Sequence, residues 1–178
     1  SIRSVKEQDV YFGEVPLREA LQRSLNSVAI KLLQSIDIDL ALDLLSEAAN
    51  TPRKDLPRNL SLALGTADFS PLQLAAAFAV LANGGSAVHP RMIAAVEDRE
   101  GNPIITPESV RHSSAEVPLR RVLSQTTCEV LTDILQGVIS EPAGTAYGSA
   151  KRTGFSLPAA GKTGTTSDYR DAWFTGYT

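Results

Sequence analysis

One cysteine, Cys128, in 178 residues leaves no partner for an internal disulfide and no thiolate cluster for a structural metal. No apolar run approaches the roughly 18 residues that a bilayer span requires, and Ser1-Ile2-Arg3-Ser4 does not resemble a signal peptide. Any membrane anchor is therefore expected outside this chain. Charge of one sign is scarce as well. The 17 Lys and Arg residues are scattered and the net charge is only −3, which speaks against the basic stripe of a nucleic-acid binder. Internal repeats and low-complexity segments are missing. What remains is 43% apolar and 21% charged, an ordinary globular balance in a length that suits one domain or most of a larger one.

Proline near the first turn opens a helical pattern at Val15-Pro16-Leu17. Leu17, Leu21, Val28, Leu32 and Leu33 form one apolar side if that helix bends at Ser24 to Asn26, where Ser and Asn compete for backbone partners. Such a bend exposes both polar side chains. A second helix is expected from Asp37 to Ala49 with Leu40, Leu44 and Leu45 inward, ended by Asn50-Thr51-Pro52. Ser70 and Pro71 open a third helix, and Asn83-Gly84-Gly85 supplies its left-handed stop. Its nearly unbroken apolar run predicts burial at the centre of the domain. A short hairpin is expected between Met92–Asp98 and Pro103–Ile105. Ser124 caps a helix to about Ser140 with Val130, Leu131, Ile134, Leu135 and Val138 inward. Cys128 shares a face with Leu131, Leu135 and Val138 and reads as a buried, inert thiol. Residues 143–154 read as a small-residue loop with one helical turn. Helices followed by an antiparallel hairpin define an α+β domain with helices segregated from the sheet.

That hairpin, Lys162-Thr163-Gly164-Thr165-Thr166 turning through Ser167 to Asp171 into Ala172-Trp173-Phe174, carries the most chemistry. Side chains alternate along a strand, so Thr163 and Thr165 share one face and Lys162 and Gly164 the other. Two hydroxyls about 7 Å apart can both donate to a substrate carboxylate. Gly164 leaves room for a close-packed neighbour, an extended peptide could pair along the strand edge, and the Thr165 N–H could supply half of an oxyanion hole. A lone Lys-Thr-Gly is also found on ordinary exposed strands; here the run extends to Trp173 and Tyr177. Ser24-Leu25-Asn26 alone marks no more than a helix boundary. Set beside Lys162, it completes a polar wall: a hydroxyl able to relay a proton, a cation to polarise it, and the Asn26 amide to hold a peptide carbonyl. His89 and His112 sit on expected loops without a ligand pattern. Asp168, Arg170 and Asp171 belong to the hairpin turn, and Glu97-Asp98 to a surface strand.

Ser-x-x-Lys, a Ser-x-Asn element and Lys-Thr-Gly together mark serine β-lactamases and penicillin-binding proteins, and the last two are present here. The chain resembles the transpeptidase domain of class A penicillin-binding proteins, the bifunctional peptidoglycan synthases. Similar blocks run in the family's order over nearly the whole chain: Ala20 to Asn26, Leu62-Ala63-Leu64-Gly65, Ser70 to Ala75, Leu81 to Gly85, Gly161 to Thr166, and Asp171 to Tyr177. The resemblance implies a penicilloyl-serine transferase (β-lactamase/transpeptidase-like) fold, incomplete here. Residues 1–178 would be a partial domain: a helical subdomain plus part of an antiparallel sheet ending in the hairpin.

By the same resemblance the activity is that of a D,D-transpeptidase. A serine of Ser-x-x-Lys attacks a D-Ala-D-Ala bond of a peptidoglycan stem peptide, D-Ala leaves, and an amine of a second stem takes the acyl group; β-lactams trap that serine. Ser24, Asn26 and Lys162 carry over as catalytic, and Thr163, Gly164 and Thr165 as substrate-binding; no cofactor or metal is implied. No Ser-x-x-Lys occurs in this chain. The nucleophile, a glycosyltransferase domain and the membrane anchor are expected in a preceding segment on the extracytoplasmic side of the bacterial membrane, and the isolated chain is expected to be inactive. A D,D-carboxypeptidase differs only in the acceptor admitted. A β-lactamase is disfavoured by Leu25 in place of Asp and by the lack of a glutamate from Asp55 through Ala67. A non-catalytic peptide-binding or sensor module would keep the same threonine edge.

Overall fold

The computed structural model describes residues 13–90, 93, 95–106, 120–166 and 170–178. His112, Asp168 and Met92 lie outside them. The elements run α1 (Leu17–Gln22), α2 (Asn26–Ser35), α3 (Ile38–Ala48), two 3₁₀ turns (Arg53–Asp55 and Leu60–Leu64), α4 (Pro71–Ala82), β1 (Val96–Glu97), β2 (Pro103–Ile105), α5 (Gln125–Ser140), α6 (Tyr147–Thr153), β3 (Ala160–Thr165) and β4 (Ala172–Tyr177). Among the described residues the strands form two antiparallel pairs, β1 with β2 and β3 with β4. Helices and hairpins are thus segregated, the α+β arrangement expected of the sequence.

Local chemistry sets the helix limits. Asp37 accepts from the Asp39 N–H at the start of α3. Ser70 and Gln73 form a reciprocal capping box on α4, with proline in the first turn. Ser124 accepts from the Thr127 N–H at the head of α5. Past α4, Gly84 and Gly85 have φ of 61° and 99°, the left-handed stop that the Asn-Gly-Gly run predicts. The β1–β2 turn is pinned by the Asp98 carboxylate, which accepts from the Glu100 and Asn102 backbone and the Asn102 side chain. These bonds hold its pKa below the usual carboxylate value.

Among the described residues, two apolar clusters hold the fold together. Leu33, Leu42, Leu56 and Leu62, with Ile38, Ala41, Leu45 and Phe69 around them, join α2, α3 and the 3₁₀ turns. Leu135, Val138 and Ala160, with Leu21, Leu81, Ala146 and Tyr177, join α1, α4, α5 and the β3–β4 sheet. The second cluster is the platform on which the site is built.

Four packing expectations are corrected. On α3 the inward stripe is Ile38, Ala41, Leu42 and Leu45, at i, i+3, i+4 and i+7. Leu42 is therefore buried, while Leu40 falls on the far side and is 62% exposed. On α5, Val130 is exposed because the buried face runs through Cys128, Leu135 and Val138. Leu17 and Leu32 are exposed although the chain does break between α1 and α2, so the five residues do not form one buried side. Finally, α4 is not enclosed. It buries Ala76 and Val80 but leaves Leu72 exposed, so its uniform apolarity exceeds what the described residues cover. The small-residue segment before β3 holds a seven-residue helix, α6, longer than the single turn expected.

Candidate active site

The break at the end of α1 is a Schellman turn. The Leu25 N–H donates to Ala20 O at 2.9 Å and the Ser24 N–H to Leu21 O at 3.1 Å, which satisfies two carbonyls at the helix end. Ser24 occupies the left-handed position of that motif, with φ 57°, where glycine is usual. For a residue with a Cβ this conformation costs roughly 1–2 kcal/mol. Leu25 then enters α2 without a side-chain cap, and Asn26 is the first helical residue. Ser24 and Asn26 are both exposed, one on the turn and one on the helix it starts.

Lys162 reaches this turn from β3. Register pairs Lys162 with Thr175, Thr163 with Phe174, Gly164 with Trp173 and Thr165 with Ala172. Alternation puts Lys162 on the same side as Ala160, which is buried against Leu135 and Val138, and as Tyr177, whose hydroxyl shares a hydrogen bond with Thr132 of α5. The lysine stem thus rises out of the second core. Its ammonium donates to Ser24 Oγ at 2.8 Å and to Thr163 O at 2.9 Å. Burial pushes the Lys162 pKa below the ordinary lysine value. Among the described residues it has no carboxylate partner, so the neutral form is easier to reach here than at a surface lysine.

Across the strand, the Thr163 hydroxyl lies 2.5 Å from Thr145 Oγ1, in the turn between α5 and α6. Nothing in the sequence singled out Thr145, which sits between Gly144 and Ala146 in a stretch without periodicity. Thr165 and Gly164 are exposed. A Cβ built on Gly164 would meet no atom within 4 Å, so the close-packed neighbour expected there is absent among the described residues. Gly164 borders open space among the described residues. Next to Thr163, a largely apolar cavity of about 420 Å³ runs between α6 and the sheet, lined by Thr145, Ala146, Ala150, Phe155 and Phe174 among others. A larger space of about 620 Å³ between α1 and α5, around the Arg18–Asp133 ion pair, touches none of the expected site residues.

The remaining candidates are elsewhere or structural. His89 is exposed. Asp171 closes the β3–β4 hairpin, its N–H donating to Thr166 Oγ1 at 2.9 Å. Glu97 is exposed on β1. Cys128 is buried, and burial raises its thiol pKa, which disfavours a reactive thiolate.

A lysine-to-serine hydrogen bond joins a helix–helix turn to a Lys-Thr-Gly strand on an α+β scaffold, and comparison with known proteins gives the family. The model of the penicillin-binding protein transpeptidase domain matches residues 37–178. Penicillin-binding protein 1A of Pseudomonas aeruginosa is 34% identical over 98% of this chain, and that of Neisseria gonorrhoeae 34% identical over 94%. The crystal structure of penicillin-binding protein 1A from Haemophilus influenzae superposes with a TM-score of 0.77 at 27% identity, covering 95% of this chain and 29% of that one. The PonA1 protein of Mycobacterium tuberculosis in complex with penicillin V shares the fold, with a TM-score of 0.67 at 22% identity over 95% of this chain and 46% of that one. The chain belongs to the penicillin-binding protein transpeptidase family. It spans 26% and 20% of the length of the Pseudomonas and Neisseria relatives.

Proposed function

We propose that residues 1–178 form part of a peptidoglycan D,D-transpeptidase domain, supplying the proton relay and the carboxylate grip for an acyl-serine reaction. The observation that carries this reading is the 2.8 Å hydrogen bond from Lys162 Nζ to Ser24 Oγ, two residues 138 positions apart. Because Lys162 donates to Ser24 Oγ, the serine's own proton is left to point at a leaving amine. As the peptide C–N bond breaks, that amine takes the Ser24 proton, Ser24 takes one from Lys162, and Lys162 recovers one from solvent. A lysine weakened as a base by burial gives up its proton more readily. Thr163 and Thr165 donate to the terminal carboxylate of a D-Ala-D-Ala stem, the open space at Gly164 admits the peptide, and the Asn26 amide holds a substrate carbonyl.

The nucleophile of such a reaction must come from a Ser-x-x-Lys element, which these residues do not contain. The reading therefore places it in a longer polypeptide, together with a glycosyltransferase domain and an anchor that holds the site on the extracytoplasmic face of the membrane. Among the described residues no helix is long and apolar enough to cross a bilayer. The test is labelling with fluorescent penicillin. The isolated chain should take no label, whereas the longer polypeptide should be acylated at the Ser-x-x-Lys serine. Ser24→Ala and Lys162→Ala in that polypeptide should slow acylation by about a hundredfold or more. Wild-type rates in both variants, or a covalent adduct on Ser24, would refute the assignment.

A further inference from the structure

We propose that Thr145 is a positioning residue for the Thr163 hydroxyl and, through it, for the carboxylate of the acyl donor; this rests on the transpeptidase reading above. Thr145 touches both walls of the site. Its N–H donates at 3.2 Å to the carbonyl of Gln22, the last residue of α1 and two positions ahead of Ser24. Its hydroxyl lies 2.5 Å from Thr163 Oγ1 on β3. The backbone that presents these groups has little freedom. The Gly144 N–H donates to Glu141 O at 2.8 Å and the Ala146 N–H to Val138 O at 3.0 Å. At Gly144 itself a Cβ would stand 2.3 Å from Val138 O and 2.4 Å from Gly137 O, so the turn lies directly on the end of α5. Thr145 is held by its neighbours rather than by its own side chain.

Proton counting then fixes the direction of the bond during catalysis. Each hydroxyl carries one proton. If Thr163 donates its proton to a substrate carboxylate, the short contact with Thr145 requires Thr145 to be the donor. The chain of bonds runs from Thr145 to Thr163 to the carboxylate, and each donation polarises the next. Valine at 145 keeps the shape but removes the donor and turns a methyl group toward the Thr163 oxygen. Serine keeps the donor.

The experiment uses the full-length polypeptide that carries this segment behind its Ser-x-x-Lys serine. Second-order acylation rates are measured with a penicillin bearing a free carboxylate and with the methyl ester of the same compound. Thr145→Val should slow the free acid about tenfold, the upper end of the worth of a hydrogen bond between neutral groups, and leave the ester within twofold. Thr145→Ser should restore the free-acid rate to within about threefold of wild type. A Thr145→Val protein that slows both compounds equally, or neither, overturns the role of Thr145, as does a Thr145→Ser protein that behaves like Thr145→Val. A wild type acylated by neither compound overturns the transpeptidase reading itself, and the role of Thr145 with it.

Discussion

At the scale of the single residue, Ser24 sets backbone strain against the proton-relay role proposed for its hydroxyl. It sits at the left-handed position of a Schellman turn, φ 57°, although glycine suits that position better. Strained backbone of this kind is often retained where a side chain is needed at that spot. The expected signature is a gap between two substitutions that both remove the hydroxyl. Ser24→Gly should be more stable than Ser24→Ala by about 1 kcal/mol in denaturant unfolding, because only glycine is relaxed at positive φ. Equal stabilities would mean that the turn does not hold this conformation. The meeting of Ser24 with Lys162 was legible in the sequence because two motifs of one family occurred in order. The left-handed backbone was not, since Ser-Leu-Asn carries no glycine to announce it. Thr145 was not legible either: a threonine in a small-residue turn has no periodic pattern, and its partner lies on another element.

At the scale of the element, the β3–β4 hairpin and the α5–α6 turn use glycine in opposite ways. Gly164 borders open space, so Gly164→Ala should leave the thermal midpoint nearly unchanged while obstructing the peptide that the strand is proposed to hold. Gly144 is packed against two backbone carbonyls that cannot swing aside, and Gly144→Ala should cost about 2–3 kcal/mol. Calorimetry on both variants checks the pair, and comparable losses at the two positions would contradict the packing described here. Helices were the most legible elements, because Ser70, Asp37 and Ser124 cap them and the spacing of leucines gives the period. The inward face was less legible. Leu40 and Leu42 are the same residue type two positions apart, and Leu42 turns inward because it shares the packed stripe of Ile38, Ala41 and Leu45.

For the molecule as a whole, the two apolar clusters lie apart, and the one around Leu135, Val138 and Ala160 carries Lys162 at its edge. Burying that cation couples site and stability. The folded-state pKa of Lys162 lies below its unfolded value, so the folded state bears a cost for the charge that is present in full below the lowered pKa. Between the lowered pKa and 10.5 the unfolded chain binds more protons, and stability rises with pH. Chemical denaturation of wild type and Lys162→Met across that window should show the rise in wild type and a flatter profile in the variant. Parallel profiles would mean that Lys162 is not desolvated. The apolar pattern of α4 foretold a more enclosed helix than the described residues provide, because a single chain's sequence shows which surface is apolar but not what covers it.

The 138 positions separating Ser24 and Lys162 also order events in time. A contact of that span forms only after the intervening residues exist and have closed on themselves. During synthesis, which proceeds from the N-terminus, the serine turn is made long before its lysine. The proposed relay needs both groups, so a chain stalled or clipped before β3 would carry the Ser24 hydroxyl without its lysine.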